Sequence, residues 1–188
     1  MTEYSNRRLS QPQPGKLFTG LILSEDILVD DLKKALAGHF GPIDLESPVH
    51  AFDHTDYYRA EMGPGLRRGF LSFEHLIAPD QLADIKRFTN RLEIQWGRIQ
   101  GQRIARRINI DPGLLTLSNL ILATTKNRAH RIYLSNGIYA EVTLIYSKTR
   151  GWQSLDWTYP DYQTPVVMEF FRKMRDIYYL RIRDRLRS

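Results

Sequence analysis

Within residues 130–144 (HRIYLSNGIYAEVTL), a histidine and a glutamate flank an Asn-Gly pair. An imidazole oriented by a carboxylate serves as a general acid or base near neutral pH, because the partner fixes the ring and tunes its proton affinity. Strand geometry decides whether His130 and Glu141 meet. Asn136-Gly137 suits the two-residue type I′ hairpin loop, which needs positive φ at both central positions. That loop pairs Ser135 with Ile138, Tyr133 with Ala140, Arg131 with Val142 and His130 with Thr143. Side-chain alternation then places His130, Glu141 and Thr143 on one mixed face, His130 diagonal to Glu141 and within reach. Arg131 falls on the opposite, mostly apolar face. The bland alternative is a solvated cross-strand pair contributing less than about 1 kcal/mol.

Other polar stretches extend this candidate site. Lys126 closes a short expected helix just before the hairpin and, with Arg131, could hold a phosphate. Asp111-Pro112-Gly113 reads as a turn opening that helix, where an Asx-turn is the ordinary role for Asp. Thr55-Asp56-Tyr57-Tyr58 and Glu61-Met62-Gly63 fall in a loop, where a dense set of acids and phenols has little packing rationale. Asp56, Asp111 and Asp161 could form a carboxylate cluster for Mg²⁺, a hard ion that takes oxygen ligands. The expected site therefore has His130, Glu141 and Lys126 as catalytic groups. Thr55, Asp56, Tyr57, Tyr58, Arg131, Thr143 and Asp161 are its expected ligand-binding groups.

The 188 residues, 42% of them hydrophobic, suffice for one domain with a substantial core and are short for two. The chain carries no cysteine, which excludes disulfides and thiolate chemistry and suits a reducing compartment, so a cytoplasmic location is expected. Residues 1–15 are polar and read as a flexible arm ahead of a single domain over 16–188. No apolar run reaches the ~18 residues of a membrane helix. The formal charge of +6 favours an anionic partner. Much of the excess sits at Arg98–Arg107 and Arg181–Arg187, and the second group also complements a helix C-terminus.

The elements that must position these groups follow from periodicity. Lys16–Leu23 reads as a strand, followed by a helix capped by Ser24 and ending at Gly41-Pro42. Ile43–Phe52 reads as a strand interrupted by Pro48, and Gly69–Phe73 as another. A helix then runs from Pro79 to about Gly97, and a strand covers Ala105–Ile110. Thr116 caps the short helix through Leu117, Leu120, Ile121 and Thr124. The hairpin, a strand at Gln153–Thr158 and a helix begun by Thr164-Pro165 complete the chain. In that last helix Val167, Phe170, Phe171, Met174, Ile177 and Tyr178 form the core stripe. The order predicts an α+β domain with helices on a largely antiparallel sheet, its N-terminal half ferredoxin-like (βαββαβ).

Several segments together resemble one family. They include Thr55-Asp56-Tyr57-Tyr58, Glu61-Met62-Gly63, Thr89-Asn90, Asp111-Pro112-Gly113, Ala123-Thr124-Thr125-Lys126, His130–Leu134, Gly137–Leu144 and Trp157–Tyr162. The chain is similar in these to the domain of unknown function 4416 family, from about Lys16 to the last helix. The family's Gly-Tyr-Leu motif stands here as Gly113-Leu114-Leu115. The resemblance implies that these polar stretches are hallmark segments, and it implies no activity.

Two kinds of function follow as expectations, with a scaffold role as a third. The first is a protein that binds a phosphorylated small molecule or nucleotide, with hydrolysis or transfer of that group as the chemistry open to it. It would do so without a GxxxxGK[ST] loop, which the chain lacks. The second is an RNA-binding module using Arg98, Arg103, Arg106 and Arg107 with Trp96 and the tyrosines near Tyr57. Two-histidine phosphoesterase chemistry is excluded, because His54-Thr55 and His130-Arg131-Ile132 do not supply two His-x-Thr/Ser elements.

Overall fold

The computed structural model describes residues 11–53 and 55–183. Most of the expected N-terminal arm and the last arginines lie outside them. At the start of the described chain, the Tyr178 hydroxyl donates to the Pro14 carbonyl at 2.8 Å.

The fold is α+β, built on one large, mostly antiparallel sheet. Its centre is β1 (Gly15–Leu23), buried along its whole length. A strand with helices on both faces needs apolar side chains in both directions, hence the run LFTGLIL, apolar but for Thr19. β1 pairs antiparallel with β4 (Arg67–Ile77) on one side and with β7 (Ile108–Leu115) on the other. β2 (Ile43–Glu46) and β3 (His50–Ala51), separated by Pro48, both pair with β4. Beyond β7 the sheet continues through β8 (Asn119–Thr124) and β10 (Ile138–Ser147) to β11 (Gly151–Ser154), with β9 (Ile132–Ser135) on the outer side of β10. β5 (Arg98–Gln100) and β6 (Arg103–Ala105) form a separate hairpin.

Helices α1 (Val29–Phe40) and α3 (Leu82–Gln95) cover one face, packing Leu32, Leu36, Phe40, Ile85 and Leu92 against Leu17, Leu21 and Leu23. Helix α4 (Pro165–Ile182) covers part of the other, packing Val167, Phe170, Phe171, Met174 and Tyr178 against Phe18, Phe70, Leu120, Leu122 and Leu144. Each such side chain contributes about 1.5–3 kcal/mol on burial. The short α2 (Arg59–Met62) closes the loop between β3 and β4. No helix among the described residues is long and apolar enough to cross a membrane.

Four local expectations are corrected. Ser24 does not cap α1, which begins at Val29; its hydroxyl donates to the Met62 carbonyl instead. Asp111-Pro112-Gly113 is not a turn but lies inside β7. The short helix after Thr116 is β8: Leu117, Leu120, Ile121 and Thr124 have helical spacing, but Leu120, Leu122 and Thr124 also satisfy a period of two, and pairing with β7 and β10 decides. The Thr116 hydroxyl accepts from the Ser118 and Asn119 amides, so it holds a strand turn.

The hairpin forms at Asn136 (φ 52°) and Gly137 (φ 78°), but its register slips. Tyr133 faces Tyr139 and Ile132 faces Ala140, so Leu134 is an extra, bulged residue. One residue of slip exchanges the faces of everything beyond it. Arg131 therefore arrives on the same side as Glu141. A second bulge, at Thr143, brings Glu141 and Leu144 onto one face despite their odd spacing.

Candidate functional site

Cross-strand partners share a face, so the registers write out the α4 side of the sheet row by row. Phe18, Gly20 and Ile22 of β1 stand beside Gly113, Asp111 and Asn109 of β7. Gly20 and Ile22 also face Phe70 and Arg68 of β4. Leu122 of β8 lies between Gly113 and Glu141. One end of these rows is apolar and lies under α4. The other end, with Asp111, Asn109, Arg68 and Glu141, is polar and opens into a cleft of about 810 Å³.

The cleft exists because β7 and β8 part. Their pairing spans only Gly113–Leu115 and Leu120–Leu122, and Pro112 has no N–H to extend it. Along the freed edge α3 substitutes for a strand: Lys86 Nζ donates to the Ile110 carbonyl at 2.7 Å, and the Ile110 amide donates to Glu93 Oε1 at 2.8 Å. Gly113 is required at the fork, since a Cβ there would lie 2.3 Å from Phe18 and 2.6 Å from the Ile121 carbonyl oxygen.

On the hairpin wall, Glu141 Oε2 accepts from Arg131 Nε at 2.6 Å and lies 3.1 Å from His130 Nε2. Arg131 also donates to the Lys126 carbonyl and to the Tyr159 hydroxyl, both at 2.9 Å. It thus ties the loop before the hairpin to the segment after β11. The Thr143 bulge frees two carbonyls that the same segment takes up, Val142 accepting from Trp157 Nε1 at 2.8 Å and Thr143 from the Thr158 hydroxyl at 2.6 Å. Trp157 is thereby stacked on His130, ring centroids 4.9 Å apart.

At the floor, Arg68 is buried over the Phe70 ring at 4.5 Å, with Tyr162 and Phe52 at 5.2 and 5.9 Å. Its Nε lies 2.8 Å from Asp161 Oδ2, close but poorly aligned for a hydrogen bond, and its Nη1 is 4.0 Å from Asp111. Gly20 makes room for it: a Cβ would sit 2.9 Å from the Tyr162 hydroxyl and 3.1 Å from Arg68 Nη2. Arg68 Nη1, Glu141 Oε1 and the Tyr162 hydroxyl are buried without a protein partner. Burying such groups without a partner costs about 1–3 kcal/mol each.

On the α3 wall, Arg106 binds Glu61 at 2.7 Å and Glu93 at 3.2 Å, and Asn109 Nδ2 donates to Asp111 Oδ2 at 2.9 Å. Burial raises the Glu93 carboxyl above its ordinary value, against the pull of Lys86 and Arg106. Burial, and then the nearby Asp111 carboxylate, also raise the Tyr58 phenol, so it keeps its proton. Tyr159 and Tyr162 are raised by burial as well. Tyr57 is lowered, because Lys126 bonds to it and its ammonium lies 4.1 Å from the ring centroid.

Of the residues expected from the sequence, His130, Glu141, Lys126, Arg131, Thr55, Tyr57, Tyr58, Asp111 and Asp161 line this cleft. Thr143 does not: it is fully buried at the bulge. Asp56 is exposed, pairs with Arg59 at 3.4 Å and borders a smaller neighbouring groove. The Asp56, Asp111 and Asp161 set is therefore not brought together, and Asp111 and Asp161 flank a guanidinium instead. Among the described residues no group of three His, Cys, Asp or Glu could hold a metal ion. The basic stretch expected to meet RNA is largely engaged internally, Arg106 with Glu61 and Glu93, Arg107 and Arg98 with Asp26, and Trp96 against the core.

Sequence reading missed Arg68, Lys86, Glu93 and Arg106 as cleft residues. A signal existed for two of them: Lys86 and Glu93 stand on the apolar stripe of α3, where a charge requires a buried partner.

A family model described as Domain of unknown function (DUF4416) matches residues 13–178. The chain belongs to this family. No curated protein and no solved structure matches it. The segments that carry the DUF4416 resemblance converge from four parts of the chain on this one cleft, through Tyr57, Tyr58, Asp111, Lys126, His130, Glu141, Trp157 and Asp161.

Proposed function

We propose that the cleft binds a phosphorylated small molecule or nucleotide. The observation that carries this reading is a surplus of positive charge at its mouth. Six Arg and Lys side chains line the cleft against four carboxylates, Glu93, Asp111, Glu141 and Asp161. Each carboxylate already has a cation beside it. Lys126 and Arg128 have no carboxylate partner among the described residues, and both are exposed. An unpaired cation over the Tyr57 ring, in a cleft that Trp157 also lines, suits an anionic group attached to a flat or ring-shaped body. Proton transfer on such a ligand would fall to His130, whose Nε2 is held by Glu141.

The test is a thermal-shift and calorimetric titration with inorganic phosphate, pyrophosphate, sugar phosphates and nucleotides. At least one should raise the melting temperature of the wild-type chain, as a ligand of the folded state must. The Lys126→Ala, Arg128→Ala double variant should bind it at least tenfold more weakly and melt at the wild-type temperature. Failure of every compound to bind, or unchanged binding by the double variant, refutes the reading.

A further inference from the structure

We infer that Asp111 reads a sugar hydroxyl of the bound molecule, so that the ligand is a phosphorylated carbohydrate or nucleoside phosphate rather than any aromatic anion. This rests on the reading above and deepens it.

The four cleft carboxylates are not equivalent. Side-chain exposure is 1% for Glu141, 5% for Glu93 and 7% for Asp161, but 28% for Asp111. Glu141 gives Oε2 to Arg131 and His130 and keeps Oε1 buried, and Glu93 is committed to the Ile110 amide and Arg106. Asp111 is held from behind and left open in front. Asn109 donates to Oδ2 at 2.9 Å and Lys86 lies 3.5 Å from Oδ1. Both neighbours come from the rigid fork of β7 and from α3, so the carboxylate has a fixed position.

The charge around Asp111 restricts what it can take. Lys86 at 3.5 Å and Arg68 at 4.0 Å already balance it, so a third cation gains little. A phosphate is repelled there and belongs at Lys126 and Arg128. A neutral hydrogen-bond donor remains. Tyr58, Tyr159 and Tyr162 stand within electrostatic reach of Asp111, and each phenol keeps its proton. A phenol hydroxyl both gives and accepts, as does the side-chain amide of Asn90, which also lines the cleft. The group that answers carboxylate, phenol and amide together is one that donates and accepts through the same atom, namely a hydroxyl. An N–H group could only donate here, to the carboxylate or to a phenol oxygen, and would leave the phenol protons without an acceptor. The cleft, at about 810 Å³, is far larger than phosphate alone requires.

The experiment compares hydroxylated ligands with their deoxy counterparts by calorimetry. The panel is ribose 5-phosphate, glucose 6-phosphate and the nucleoside monophosphates, each beside its 2-deoxy or 2′- and 3′-deoxy form, with inorganic phosphate and pyrophosphate as references. In the wild-type chain at least one hydroxylated member should bind tenfold or more tightly than its deoxy partner. In Asp111→Asn, which keeps the shape and removes the charge, that ratio should fall below about threefold while phosphate and pyrophosphate bind as before. Equal binding of every hydroxylated and deoxy pair overturns the inference and leaves the anion site standing. So does an Asp111→Asn variant that weakens phosphate and sugar phosphate alike. Binding by no compound, inorganic anions included, removes the underlying reading. If Asp111→Asn fails to fold, the wild-type comparison decides alone.

Discussion

The Arg131–Glu141 pair offers the sharpest test of how this cleft is held together. Glu141 has 1% of its side chain exposed and Arg131 6%. Arg131→Ala would leave the carboxylate with His130, itself 25% exposed, as its remaining neighbour. Two unit charges about 4 Å apart attract by about 4 kcal/mol at an effective dielectric constant of about 20. Removing one member of a buried pair accordingly costs about 3–5 kcal/mol. For a domain of this size each kcal/mol moves the melting temperature by about 2–4 °C, so Arg131→Ala should melt roughly 10 °C below wild type. The assay is urea unfolding of wild type, Arg131→Ala, Glu141→Gln and the double variant. If the loss is mainly the stranded charge, Arg131→Ala should cost less than half as much in the Glu141→Gln background. Equal cost in both backgrounds would refute the electrostatic argument and assign the effect to the lost contacts with Lys126 and Tyr159. A cost below about 1 kcal/mol in the wild-type background would show that Glu141 is not a buried charge.

Two further substitutions probe the fork and the α3 wall. Gly113→Ala forces a methyl against Phe18 and the Ile121 carbonyl and should cost about 1–3 kcal/mol in urea unfolding. Gly38→Ala, at a helical position with open space around it, should gain about 0.5–1 kcal/mol, and the opposite order would contradict both packing arguments. For Glu93 the sign follows from its raised carboxyl, whose ordinary value is 4.5. The folded chain holds this proton more tightly than the unfolded one. Burial of the charge is therefore penalised above the folded pKa and relieved as pH falls towards 4.5. The stability of wild type minus that of Glu93→Gln should rise as pH is lowered from 7.5 to 4.5 in thermal melts, and a flat difference would contradict it.

Much of the frame was legible without coordinates. The strand at Lys16–Leu23, the helices ending at Phe40 and beginning near Pro79, the Asn-Gly loop and the aromatic stripe of the last helix all follow from local rules. Each depends on neighbours within one turn or one pair of strands. The meeting of His130 with Glu141 also followed, although by a different route from the one the ideal register implies.

What the sequence determined alone was the set of local preferences: which stretches bury a face, where the chain turns, and which polar residues have no packing excuse. Tertiary structure decided the rest, because bulges and strand partings are settled by neighbours distant in sequence. The Leu134 and Thr143 bulges put Arg131 and Leu144 on the Glu141 face, and no local pattern marks them. The segment Asn119–Thr124 fits two periods equally well, and only the open edges of β7 and β10 select the strand. Arg68 and Asp111 face one another across β1 because Gly20 leaves the space between them, a property of three strands and of no single stretch of chain.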